Sequence, residues 1–258
     1  MSNSPLVSYT KFSPNHSGLR THTVDRITPH CVVGQCSVER LGEIFYPASK
    51  RASCQYGIGK DGRVGMYVEE KNRSWCSSSN SNDQRAITIE CASDSKAPYA
   101  FKEVVYNRLI ELCVDICKRY GKNKLLWLGN KDKTLSYEPA SNEMVLTVHR
   151  WFNSRKSCPG EWMYSRMGDL ADKVTAKLKG ESGEAVKGLY RVQTGAFKNK
   201  SNADNMLTKV KKSGFDGYIV KVGELYKIQV GAFRKKEYAE AMAVKLKEAG
   251  FGAFVTLR

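Results

Sequence analysis

The sequence predicts an α/β domain over residues 1–179, a linker over 180–188, and a small α+β domain of βαββαβ order over 189–258. Three observations carry that prediction. Strand-like runs alternate with runs at helical spacing through the first 178 residues. Gly180-Glu181-Ser182-Gly183-Glu184-Ala185-Val186-Lys187-Gly188 has the glycine and charge content of a connector. Beyond it the chain repeats itself. Leu189-Tyr190-Arg191-Val192-Gln193-Thr194-Gly195-Ala196-Phe197 returns as Leu225-Tyr226-Lys227-Ile228-Gln229-Val230-Gly231-Ala232-Phe233.

The elements of the first domain follow in order. Residues 1–26 are polar and irregular, and His16 and His22 there read as surface or loop histidines. Ile27 to Gly34 reads as a buried strand carrying His30. Val38, Leu41, Ile44 and Phe45 fall at helical spacing. Ser53 to Ile58 and Arg63 to Val68 flank Lys60-Asp61-Gly62, a hairpin signal. Residues 70–85 form a polar loop with Trp75 among small polar residues, read equally well as a solvated crossing or as a groove wall. Ala86 to Cys91 is a β-rich run holding Glu90. Phe101 to Tyr120 keeps the helical period and stops at Gly121. Lys124 to Leu128 is a short strand, Met144 to Val148 leads into His149, and 160–179 is an amphipathic helix.

In the second domain Ala203, Met206, Lys209, Gly214 and Phe215 match Ala239, Met242, Lys245, Gly250 and Phe251, so each repeat reads strand–helix–strand. Two such units make a small sheet open on one face.

Net charge is +16, which favours polyanionic partners: nucleic acid, an anionic membrane or an anionic cell wall. No segment approaches a membrane span, and the N-terminus lacks the apolar run of a signal peptide. The expectation is a protein made in the cytoplasm. The eight cysteines all lie before residue 159, and reduced thiols are expected.

The chemistry centres on Val148-His149-Arg150-Trp151-Phe152-Asn153-Ser154-Arg155-Lys156-Ser157-Cys158-Pro159-Gly160. Imidazole and thiolate are zinc's preferred ligands, and a catalytic zinc takes three protein ligands and leaves one position open. His30, His149 and Cys158 can supply the three. Glu90 is the candidate proton acceptor, and Lys156 the candidate cation for a developing oxyanion. Taken singly, each has a structural alternative: a satisfied core histidine, a salt-bridged Glu90, a solvated Lys156. Cys31 follows His30 on the strand, points to the opposite face and is not counted as a ligand.

Ile27 to Ser37, Gln55-Tyr56-Gly57-Ile58, Ile87-Thr88-Ile89-Glu90 and His149 to Gly160 together resemble the N-acetylmuramoyl-L-alanine amidase type 2 family, the peptidoglycan-recognition fold. The resemblance spans roughly residues 6–178. It implies a mixed central sheet with flanking helices and zinc in a surface groove. The implied reaction is hydrolysis of the amide between the lactyl group of N-acetylmuramic acid and L-alanine. It carries the zinc ligands to His30, His149 and Cys158, the general base to Glu90 and the lysine before the last ligand to Lys156. A branch with a catalytic tyrosine would place it at Cys54, which favours Glu90. Tyr56, Trp75 and Asn82 are the candidate substrate contacts.

The twin Gln-x-Gly-Ala-Phe motifs resemble the SPOR (sporulation-related repeat) domain, a ferredoxin-like fold, over 188–258. That resemblance implies binding to peptidoglycan glycan strands stripped of stem peptides, with Gln193 and Gln229 the groove candidates. Gly250-Phe251-Gly252-Ala253-Phe254-Val255 echoes an RNA-binding box, but it sits on the last strand rather than the third of four, so no nucleic acid is expected. The expected function is a zinc-dependent amidase acting on the wall after release, as a phage or prophage endolysin or a bacterial autolysin. The alternative is a non-catalytic peptidoglycan-recognition protein.

Overall fold

A computed structural model describes residues 3–180, 190–233 and 236–257. The chain divides into two units, Met1–Ser182 and Gly183–Arg258. Of the expected linker, all but Gly180 lies outside the described residues.

The first unit is built on seven strands: β1 (Val7–Thr10), β3 (Arg26–Cys31), β4 (Tyr56–Ile58), β5 (Val64–Met66), β7 (Ala86–Cys91), β8 (Lys124–Leu126) and β9 (Glu143–Leu146). Their order is β1-β5-β4-β7-β3-β9-β8. Only β4 and β5 pair antiparallel, through the Asp61-Gly62 turn; the other neighbours are parallel, which gives the expected mixed sheet. Strands β3 and β7 are its centre, and β3 is buried at all six positions, as a strand covered on both faces must be. Their register runs from Arg26 opposite Ala86 to Cys31 opposite Cys91, and it sets His30 directly across from Glu90. Cross-strand neighbours share a face of the sheet.

Two layers cover the sheet. Helix α1 (Val38–Phe45) starts at Ser37, whose side chain accepts from Arg40 N, and it buries Leu41 and Phe45 with Cys54 and Tyr67. Helix α3 (Glu103–Arg119) buries Val105, Leu109, Leu112, Cys113, Ile116 and Cys117 in the main core, where α6 (Met167–Leu178) adds Leu170, Ala171 and Val174. All eight cysteines are free.

The structure differs from the sequence expectation where hydrophobic period gives no signal. The irregular N-terminus contains β1, and β2 (His16–Leu19) pairs with β6 (Asn72–Ser74) from the polar loop. Helix α2 (Asn80–Arg85) occupies the rest of that loop, capped by Ser79 and burying Asn82 and Asp83 rather than apolar side chains. A further short helix, α4 (Lys131–Leu135), precedes β9. The single helix expected over 160–179 is two, α5 (Glu161–Tyr164) and α6, broken at 165–166.

The second unit contains β10 (Tyr190–Phe197), α7 (Lys200–Lys212), β11 (Tyr218–Val222), β12 (Leu225–Phe233), α8 (Lys236–Glu248) and β13 (Phe254–Leu257). Its antiparallel sheet has the order β11-β12-β10-β13. Val192, Ile228 and Val230 pack with Val210 of α7 and with Ala239, Ala243 and Leu246 of α8. Among the described residues, no helix is long and apolar enough to cross a membrane.

Candidate active site

Three separate stretches bring His30, His149 and Cys158 together. His30 comes from the buried centre of the sheet. After β9 the chain runs extended through Val148 and then turns into a short 3-10 helix over His149–Trp151. Cys158 closes the following loop. Arg150 fastens that loop twice: its backbone N donates to Cys158 O at 3.1 Å, and its Nη2 to Ser157 O at 2.5 Å. Gly160, at φ +81°, then lets the backbone pass Pro98, whose carbonyl a Cβ would meet at 2.9 Å.

One donor atom from each of the three residues lies within 4.8 Å of the other two. Cys158 Sγ is 3.2 Å from His30 Nδ1, and the imidazole centroids are 5.1 Å apart at 64°. Burial, then the neighbouring His149, hold His30 well below the usual imidazole range. Burial, then Lys156, bring His149 down to about 4. Both rings are therefore neutral near pH 7, the form that binds a metal. Burial first, and Cys31 second, push the Cys158 thiol up. Cys31 and Cys158 share the main core cluster.

Glu90 stands beside this trio. Burial raises its carboxyl to about 7, against the pull of Lys50 and Lys156. Its Oε1 lies 3.9 Å from Cys76 Sγ. Glu90 Oε2 and His30 Nε2 are buried without a hydrogen-bond partner. Buried polar atoms are nearly always satisfied, so an unpartnered carboxylate oxygen beside the imidazole and thiol donors fits the water of a bound cation. The donor set is of the type zinc prefers.

Lys156 is exposed and shares a cleft of about 520 Å³ with Ala97, Pro98, Tyr99, Arg150, Ser157 and Glu161. Trp75 keeps part of its surface, its Nε1 donating to Ser17 Oγ at 2.7 Å.

The other two expected substrate contacts need correction. Tyr56 is fully buried; its hydroxyl donates to Glu70 Oε1 at 2.6 Å and accepts from Ser4 N at 2.8 Å, so it belongs to the core. Asn82 is also fully buried. Its Nδ2 donates to Thr28 Oγ1 at 3.1 Å and its Oδ1 accepts from Thr147 Oγ1 at 3.0 Å. Those threonines precede His30 and His149 by two residues each, so Asn82 ties the two histidine-bearing segments together from the interior.

Two residues escaped the sequence reading. Ser78, at φ 62°, places its Oγ 2.8 Å from His149 Nε2 and so fixes that ring. Cys76 lies against Glu90. Both sit in the serine-rich loop, where nothing in the sequence separates them from their neighbours.

In the second unit Gln193 and Gln229 face each other across β10 and β12, with Phe254 opposite Gln193 and Tyr218 opposite Gln229. The glutamines are buried, 4% and 2% exposed, whereas Tyr218 and Phe254 are 55% and 45% exposed. One cross-strand row thus runs aromatic, amide, amide, aromatic. Arg191 Nη1 donates to Gln229 Oε1 at 3.4 Å.

A mixed sheet with a His–His–Cys donor set and an adjoining buried carboxylate is an arrangement suited to hydrolysis. The family model described as N-acetylmuramoyl-L-alanine amidase matches residues 20–161, and the chain belongs to that family. The SPOR domain model matches 168–221 and 186–257, giving the order amidase then SPOR. Three solved structures are similar. The peptidoglycan binding domain of the B. subtilis cell wall lytic enzyme CwlC is 46% identical, over 28% of this chain and 90% of that one, with TM-score 0.26. The endolysin N-acetylmuramoyl-L-alanine amidase LysCS from Clostridium intestinale URNW is 16% identical, over 69% and 99%, with TM-score 0.45. The Staphylococcus aureus hydrolase AmiA, in complex with its ligand, is 13% identical, over 68% and 86%, with TM-score 0.48. No curated protein matches the chain.

Proposed function

We propose that this chain is a zinc-dependent N-acetylmuramoyl-L-alanine amidase that lyses bacterial cell wall, as an endolysin or autolysin. It cuts the amide between the lactyl group of N-acetylmuramic acid and L-alanine in peptidoglycan. The observation that carries this reading is the convergence of His30, His149 and Cys158 beside Glu90. Zinc held by those three residues supplies a Lewis acid that polarises the carbonyl and eases ionisation of water.

The chain's own groups do the rest. Glu90 takes a proton from the attacking water at its carboxylate and returns it to the departing nitrogen of L-alanine. Its affinity for a proton, raised to about 7, suits both transfers near neutral pH. The Lys156 ammonium, at the rim of the cleft, offsets negative charge growing on the lactyl carbonyl oxygen. Ser78 holds the His149 ring, and Asn82 holds the segments beneath both histidines. Trp75 offers a partly exposed face to the substrate. The SPOR domain keeps the enzyme on glycan strands through the row from Tyr218 to Phe254, with Gln229 and Gln193 between the two aromatics. The +16 charge adds a salt-sensitive attraction to anionic wall polymer.

The test is release of L-alanine amino termini from purified peptidoglycan. Release should depend on zinc and should vanish on chelation or in Cys158→Ser. Unchanged release after both treatments would overturn the metal mechanism; absence of release from the zinc-loaded wild type would leave a non-catalytic wall-recognition protein.

A further inference from the structure

We propose that His30, Cys76 and Glu90 form a second, weaker site for a thiophilic divalent cation such as Zn²⁺ or Cd²⁺, and that filling it silences the enzyme. One donor atom from each residue lies within 4.8 Å of the other two. This set excludes Cys158 and His149 and recruits the carboxylate assigned above to proton transfer. Imidazole, thiolate and carboxylate are the three donor types that zinc accepts, and the thiol biases the site against Mg²⁺ and Ca²⁺.

Three features show that these groups are set in place rather than merely near one another. Cys76 is anchored through its backbone N, which donates to Asp83 Oδ2 at 3.1 Å, and its Sγ points at Glu90 Oε1, 3.9 Å away. Glu90 Oε2 is buried with no partner. His30 is 0% exposed, and its Nε2 is likewise buried and unpartnered, while Nδ1 is the nitrogen beside Cys158. To serve both donor sets at once His30 must bind through both ring nitrogens, so uptake of the second cation displaces its remaining ring proton, and the Cys76 thiol proton, to solvent.

Two cations sharing His30 repel each other, so the second binds about tenfold or more weakly than the first. Once it is bound, the Glu90 carboxylate is engaged as a ligand and cannot accept the proton of water. Inhibition by excess zinc is the consequence. The inhibitory effect rests on the amidase reading; the binding itself does not.

The experiment titrates metal-free full-length protein with Cd²⁺, following heat and the ultraviolet thiolate–cadmium absorption. Wild type should take up two equivalents, and Cys76→Ser one. Cys158→Ser should keep one equivalent together with its thiolate absorption, contributed by Cys76. In wall digestion, excess Zn²⁺ should depress the wild-type rate but not that of Cys76→Ser, each relative to its own rate at one equivalent. A wild type that binds a single equivalent, or a Cys76→Ser protein that binds two, overturns the second site. Cadmium stoichiometry is read without turnover, so a failed amidase assay with two bound cations counts against the amidase reading and not against this site.

Discussion

The two units handle polar groups in opposite ways. In the first, the reactive groups come from four distant places, β3, β7, the turn after β9 and the loop ending at Gly160, and they meet largely out of solvent. Burial there changes protonation: it lowers His30 and His149 and raises Glu90. In the second, Gln193 and Gln229 come from a repeated motif and are related by strand pairing alone, with exposed aromatics at both ends of the row. The first arrangement is a convergent site, where losing one member should remove the proposed function. The second is a repeated surface, where losing one member weakens it by a step.

Substitutions sharpen that contrast. Glu90→Gln should lower amide hydrolysis by about 100-fold or more with metal content unchanged, measured by amino-terminus release and elemental analysis. A rate within a few-fold of wild type would remove Glu90 from proton transfer. Ser78→Ala should weaken zinc binding about 10- to 100-fold in a competition titration, because His149 loses the partner that fixes its ring. Unchanged affinity would show that the hydrogen bond is incidental. In the second unit, Tyr218→Ala or Phe254→Ala should each weaken sedimentation with stripped glycan strands by about fivefold. Turnover of a short soluble muropeptide should stay the same, and a fall in that turnover would contradict the division of labour between the units.

The smallest expected effect concerns stability. Glu90 has its folded-state affinity for protons raised from 4.5 to about 7 by burial. Its contribution to stability is therefore complete below about 4.5 and is lost as pH rises through about 7. Metal-free Glu90→Gln should then be more stable than wild type at pH 8, by on the order of 1 kcal/mol, with little difference at pH 4, as read from melting curves at the two pH values. Equal melting at pH 8 would show that the carboxylate is not strained by burial.

Legibility follows the same division. Elements with a clean apolar period were readable, as with Val38–Phe45, β7 and α3. The repeat made the second fold readable as well. The donor trio and Glu90 could be proposed because their residue types are chemically distinctive and their surrounding motifs specific. Strands β1, β2 and β6 and helix α2 were not readable, being short and polar and stabilised by tertiary partners. Tyr56 and Asn82 show why contacts are harder than ligands. An aromatic in a hairpin can face groove or core, and here its hydroxyl is drawn inward by Glu70. An asparagine in a polar loop looks exposed until Thr28 and Thr147 provide buried partners for it. Ser78 and Cys76 gain their meaning only when the loop folds over His149 and Glu90.

The claim on which everything else depends is that His30, His149 and Cys158 hold one cation between them. One equivalent of Co²⁺ added to metal-free protein tests it most directly, through the visible absorption of a cobalt–thiolate centre. The account predicts a thiolate-to-cobalt band in wild type and in Cys76→Ser, and its loss when Cys158→Ser is added to Cys76→Ser, the background that leaves the trio as the thiolate site. A band that survives in the Cys76→Ser, Cys158→Ser double variant, or no band in wild type, would contradict it.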